Sequence, residues 1–196
     1  MSKILKFVSL VFLSGMLVSS CFAFRTVVID AGHGGKDKGG SWGKVYEKHL
    51  ALDTAFRLER YLKKKGYRVV MTRSTDKYLT LGQRTKIANK YKDAIFVSVH
   101  INKASRSGAA GIETFYCGPE GKKLGQEVQS RMVSKVNAVD RGLKRARYYV
   151  LRNSKNPAIL AEIGFVSNSA ERSRMKKGYY RDAVAKAIAD GIAKYD

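Results

Sequence analysis

Residues 26–66 read TVVIDAGHGGKDKGGSWGKVYEKHLALDTAFRLERYLKKKG. Thr26–Asp30 is a short run of apolar and β-branched residues, as a buried strand requires, and it breaks into the glycine-rich stretch AGHGGKDKGG at residues 31–40. From Tyr46 to Lys65 apolar residues recur at Leu50, Ala51, Ala55, Leu58, Tyr61 and Leu62, the spacing of one helix face, and Gly66 closes the segment. Tyr67–Met71 then reads as a second strand. A strand that turns through glycines into a helix and returns as a strand opens an α/β fold.

The same alternation continues outward. Leu79–Lys92 reads as a helix, Ala94–Val99 (AIFVSV) as a buried strand, and Gly111–Cys117 as a strand after the polar loop KASRSGAAG. Leu124–Val139 is expected to be helical, Tyr148–Leu151 a short strand, Ala158–Ile163 a strand after Pro157, and Asn168–Lys177 and Tyr179–Tyr195 the closing helices. The expectation is a single α/β domain with a twisted, mostly parallel sheet flanked by helices on both faces. A chain of 196 residues with 44% apolar content can bury one substantial core, which argues against disorder. Neither internal repeats nor linkers interrupt it.

Residues 1–23, MSKILKFVSLVFLSGMLVSSCFA, place Lys3 and Lys6 before an apolar run from Phe7 to Val18 and then small residues, the pattern of a secretory signal peptide. That run is shorter than the roughly 20 residues a membrane-spanning helix needs. Cleavage before Phe24 is favoured and leaves one domain over 24–196. Val18–Cys21 also looks like a lipobox, which would make Cys21 a lipid-bearing residue. Either route leads to the periplasm or cell envelope. The chain carries 38 Lys+Arg against 16 Asp+Glu, a net charge of +22, and an anionic partner is expected, such as an envelope surface or an acidic wall polymer. Nucleic acid is disfavoured, because the chain is exported and shows no aromatic-basic stripe or zinc-finger pattern. With cysteines only at 21 and 117, a metal must be held by histidine and carboxylate, and Cys117 reads as a small buried thiol.

Ligands of open α/β sheets gather at the carboxyl ends of strands. His33 follows the first strand, Glu47 opens the first helix, His100 follows AIFVSV, and Glu162 lies in AILAEI. Two histidines and one carboxylate form a standard catalytic zinc set that leaves one position to water, and His33, Glu47 and His100 supply it. Gly32, Gly34 and Gly35 would let the backbone approach a substrate closely. Glu162 sits in an otherwise apolar segment where a carboxylate is costly to bury, and a general base would justify that cost. Plainer readings stand beside these: a histidine at a strand end as a surface or capping residue, Glu47 as a first-turn acid favoured by the helix dipole, and Glu162 as an arginine's partner. His49 competes as a ligand, but two positions along a helix carry it about 200° around the axis from Glu47.

Taken in order, VVIDAGHGGKDKGG, YEKHLAL, MTRSTDKYLTLGQRTKIAN, FVSVHIN, RGLKRARYYVLR and AILAEIGFVSN together resemble the zinc-dependent N-acetylmuramoyl-L-alanine amidases that trim bacterial peptidoglycan. The resemblance covers residues 26–195. It implies one zinc ion per chain on His33, Glu47 and His100, Glu162 as catalytic glutamate, and peptidoglycan as the partner; the chain itself is expected to be a monomer. The activity implied is hydrolysis of the amide between the muramoyl lactyl group and L-Ala of the stem peptide. Asn102 and Arg141 are candidate donors to substrate, while Arg73, Arg84 and Arg141 could hold either stem-peptide carboxylates or the loops themselves. His49 departs from the family's pattern, and residues 118–125 leave no room for the inhibitory helix of some division-associated members. Two other functions remain in view. A non-catalytic wall-binding protein would have the same fold and charge, and Ser-x-x-Lys at Ser41/Lys44, Ser74/Lys77 and Ser173/Lys176 could serve a penicillin-binding serine activity.

Overall fold

The structure, a computed structural model, describes residues 24–196. Residues 1–23, expected to be a signal peptide, and with them Cys21, lie outside the described residues. Six strands form one sheet: β1 (Thr26–Ala31), β4 (Arg68–Met71), β5 (Ala94–Asn102), β6 (Ile112–Tyr116), β7 (Asp140–Arg145) and β8 (Ala158–Phe165), in the spatial order β4-β1-β5-β8-β6-β7. β4, β1, β5 and β8 run parallel; β6 is antiparallel to β8, and β7 is parallel to β6. A small antiparallel ribbon, β2 (Ser41–Trp42) with β3 (Val45–Tyr46), sits in the connection after β1.

Helices cover both faces. α1 (Glu47–Lys64), α3 (Pro119–Val136) and α6 (Gly178–Tyr195) form one layer with α5 (Ser169–Lys176) at its end. The short helices α2 (Leu81–Ala88) and α4 (Tyr149–Arg152) lie on the other face. Side chains alternate between faces along a strand. Val27, Ile29, Ile95, Val97, Ile159 and Ala161 enter the larger core under α1, α3 and α6. Their neighbours Val28, Phe96, Ala158 and Leu160 enter the smaller core under α2 and α4. On that second face each central strand turns polar as it advances: Val28 gives way to Asp30, Phe96 to Ser98 and His100, and Leu160 to Glu162. The alternation that builds the core therefore also lays out a polar ledge just beyond α2 and α4.

Several sequence expectations change. Tyr148–Leu151 is the start of helix α4 and not a strand. Val150 and Leu151 are both buried, and a helical turn can bury adjacent side chains where a strand would separate them. β7, DRGLKR, was not expected, because an edge strand facing solvent carries no apolar alternation. α3 starts at Pro119, so residues 119–125 are helix rather than loop, and it ends before Asn137, which adopts φ 48° as a left-handed cap. α2 is shorter than expected and opens with a capping box between Thr80 and Gln83. β5 and β8 run on to Asn102 and Phe165, placing His100 and Glu162 inside strands. Cys117 is half-buried rather than buried.

Candidate metal centre and cleft

The β1–α1 connection carries His33 over the end of the sheet, and α1 begins with Glu47 facing back toward it. His33 Nε2 lies 3.1 Å from Glu47 Oε2, and His100 Nδ1 lies 2.8 Å from Glu47 Oε1. Ligating atoms of His33, Glu47 and His100 all lie within 4.8 Å of one another, a set that could hold one metal ion. Backbone amides of Gly40 (2.6 Å) and Ile101 (2.9 Å) donate to the two Glu47 oxygens. Burial alone would raise the Glu47 carboxyl, but hydrogen bonds from His100 and His33 outweigh it and hold it well below the usual carboxylate range.

Asp37 was not singled out in the sequence. Its Oδ2 lies 2.8 Å from His33 Nδ1, which directs Nε2 toward Glu47, and its Oδ1 accepts from Gly39 N. A carboxylate four residues beyond a candidate ligand, inside the same glycine-rich turn, was the available signal. Gly32, Gly34, Gly35 and Gly39 all lie tightly against the protein itself. A Cβ at Gly32 would stand 2.5 Å from the His100 ring, and one at Gly39 (φ +65°) would stand 2.5 Å from both Glu47 Oε2 and His33.

Two arginines fix this loop. Arg73 is fully buried and donates to the carbonyls of Ala31, Gly32, Lys48 and Thr75. Arg84 donates to Asp30 Oδ1 (2.8 Å) and to the carbonyls of Ala31 (2.7 Å) and His33 (2.7 Å). Of the two roles open to them, these arginines take the structural one. His49 lies away from the ligand set, exposed and 3.6 Å from Asp76.

Glu162 lies between the candidate ligands and a second carboxylate. β5 and β8 place His100 in register with Glu162, and the antiparallel β6 places Glu113 opposite it. Glu113 is well satisfied, accepting from Asn102 Nδ2 (2.6 Å), Arg141 Nε (2.9 Å) and Lys144 Nζ. Glu162 is not. Its Oε2 is buried with no hydrogen-bond partner. Burial, followed by the charges of Glu47 and Glu113, pushes its carboxyl well above the usual carboxylate range. A cavity of about 500 Å³ opens beside it, lined by His33, His100, Glu162 and the residues at the starts of α2 and α4. Asn102 and Arg141, expected as donors to substrate, are both committed to Glu113. None of the three Ser-x-x-Lys pairs lines the cavity.

The sheet and its ledge define the class first: an α/β domain whose cleft can take a metal ion. Residues 27–194 match the family model described as N-acetylmuramoyl-L-alanine amidase. The chain belongs to this family. YqiI of Bacillus subtilis is 37% identical over 87% of this chain and 84% of its own length. N-acetylmuramoyl-L-alanine amidase LytC of the same organism is 34% identical over 87% of this chain, which spans only 35% of LytC. Among solved structures, the catalytic domain of the N-acetylmuramoyl-L-alanine amidase CwlV from Bacillus (Paenibacillus) polymyxa superposes with a TM-score of 0.84 at 38% identity, covering 88% of this chain and 98% of that one.

Proposed function

We propose that this amidase hydrolyses the bond between the muramoyl lactyl carbonyl and L-Ala of the peptidoglycan stem peptide. In this reading His33, Glu47 and His100 hold one zinc ion per chain and Glu162 is the general base. The observation that carries it is the buried, unpartnered Glu162 oxygen beside a two-histidine, one-carboxylate cluster. Neutral imidazoles and a carboxylate are a donor set suited to zinc. When bound, zinc would lower the pKa of a water toward about 7 and polarise the substrate carbonyl.

The chain's own residues do the rest. Asp37 holds the His33 ring so that Nε2 faces the site, and Gly40 and Ile101 amides fix both Glu47 oxygens. Glu162 removes the proton from the attacking water as the new C–O bond forms. It then returns that proton to the L-Ala nitrogen as the C–N bond breaks, leaving a carboxylic acid and a free amine. Asn102 and Arg141 hold Glu113 in place beside Glu162. With residues 1–23 as a signal peptide, the protein would act as a monomer on peptidoglycan at the periplasmic side of the envelope.

Purified peptidoglycan digested with the enzyme, with and without chelator, tests this by mass spectrometry. The expected products are stem peptides with a free L-Ala amine and glycans with intact lactyl groups, lost on chelation. Products without that amine would overturn the amide assignment, and digestion indifferent to chelator would overturn the zinc.

A further inference from the structure

Eight large apolar side chains are exposed among the described residues, and four of them, Tyr78, Leu81, Tyr148 and Tyr149, line the cavity that holds His33, His100 and Glu162. Exposed apolar groups scattered singly need no explanation, but their concentration in one recess marks a surface kept for a ligand. The rings are held in place from outside. Lys36 Nζ lies 4.8 Å from the Tyr78 centroid, the Arg152 guanidinium 5.6 Å from that of Tyr149, and Phe115 meets Tyr148 edge-on at 5.0 Å. Leu160 forms the floor, one step back along β8 from Glu162 and on the same face. The recess therefore leads from Glu162 along the strand direction, between the start of α2 and α4. At about 500 Å³ it lies within the roughly 300–1,000 Å³ range of small-ligand sites.

Its charges are already committed. Arg84, the cation of the lining, is bound to Asp30 and to the carbonyls of Leu79, Ala31 and His33, while Asp37 is bound to His33. A stem peptide beyond its first residue carries carboxylates, which find no free partner in this lining. A sugar ring is uncharged, with an apolar C–H face and a hydroxyl edge, and it matches rings that are apolar in body and polar at the tip. Lys36 and Arg152 stand behind the Tyr78 and Tyr149 rings at the rim, while Arg141 and Lys144 lie in another direction, across β6 around Glu113.

We infer that the recess between α2 and α4 is the sugar subsite, holding the N-acetylmuramoyl ring against Tyr148, Tyr149 and Leu81 while the stem peptide leaves Glu162 toward β6 and β7. This rests on the amidase reading above and adds the direction in which substrate lies.

Two substrates with the same peptide separate the claims: N-acetylmuramoyl-L-Ala-D-isoglutamine and its sugar-free counterpart, lactoyl-L-Ala-D-isoglutamine. The zinc-loaded wild type should prefer the first by at least tenfold in kcat/KM. Tyr148→Ala/Tyr149→Ala should collapse that ratio toward one, chiefly through KM, and Tyr148→Phe/Tyr149→Phe should keep it. Leu81→Ala, at a position 52% exposed, tests the opposite wall should the double variant not fold, and it should also reduce the ratio. Equal losses on both substrates, or a ratio that neither alanine variant changes, would overturn the sugar subsite. Wild type that cleaves both substrates equally would overturn the subsite alone; wild type that cleaves neither would overturn the amidase reading and the subsite with it.

Discussion

Asp30 and Glu162 are carboxylates on the same face of the same sheet, two strands apart, and their surroundings are opposite. Asp30 accepts from Thr72 (2.6 Å), Ser98 (2.7 Å) and Arg84 (2.8 Å). Burial works against its ionisation, but the Arg84 charge and these hydrogen bonds outweigh burial and keep its carboxyl below the usual range. Glu162 has a buried oxygen with no partner, and both burial and its neighbours raise its carboxyl. A carboxylate whose partners are all supplied by the chain is a structural element. One left without them in a cleft is stored capacity for an interaction that only a bound species completes. Experiments on the two residues and their surroundings should therefore give different signatures.

The largest effect should come from removing the group beside Glu162. His33→Ala or His100→Ala is expected to abolish turnover and lose the metal, measured as zinc per chain. Stoichiometric zinc in the double variant would break the ligand assignment. Next in size, Glu162→Gln should lower turnover by about 10²–10⁴-fold while retaining zinc, with stability at pH 7 equal to or above that of wild type. Loss of metal in that variant would make Glu162 a ligand instead of a base.

Asp30→Ala should do the reverse. Removing one partner of a buried ion pair costs about 3–5 kcal/mol, so the denaturant midpoint should fall steeply. An unchanged midpoint would erase the distinction between the two carboxylates. The pH dependence sharpens it further. Because the folded-state pKa of Asp30 is lowered, its stabilisation is present above the ordinary value of about 3.9 and fades as pH falls below it. For Glu162 in metal-free protein the raised pKa gives the opposite sign: stability is highest below about pH 4.3 and declines as pH rises toward the raised value. Denaturant titrations of wild type, Asp30→Ala and Glu162→Gln at several pH values should show the two differences moving in opposite directions.

The smallest effect concerns the charged surface outside the cleft. If the net charge of +22 concentrates the protein on the wall, pelleting of the inactive Glu162→Gln variant with sacculi should weaken as salt rises, since screening acts over about 10 Å at 0.1 M. Of the Lys63–Lys65 run, Lys63 pairs with Glu59 and Lys65 with Asp190, so the attraction should depend more on Arg145 and Arg147. Salt-independent pelleting would assign retention to contacts in the cleft.

Sequence alone determined the strand at Thr26, the helix from Glu47, the strand–helix alternation and the residues whose chemistry suits a metal, because periodicity and residue type are local properties. Tertiary structure decided the rest. β7 is polar because it is an edge, and α4 is helical because Val150 and Leu151 must both turn inward, neither of which a local pattern shows. Glu113 faces Glu162 only because β6 runs against β8, and strand direction is set by long-range pairing. His33, Glu47 and His100 are distant in the chain, so their meeting required β1 and β5 to pair and α1 to fold back over both. That Asp30 is satisfied and Glu162 is left with an unpartnered oxygen was decided by which neighbouring strands and helices brought hydrogen-bond donors within reach, a matter of three-dimensional neighbourhood that two carboxylates in apolar strands do not reveal.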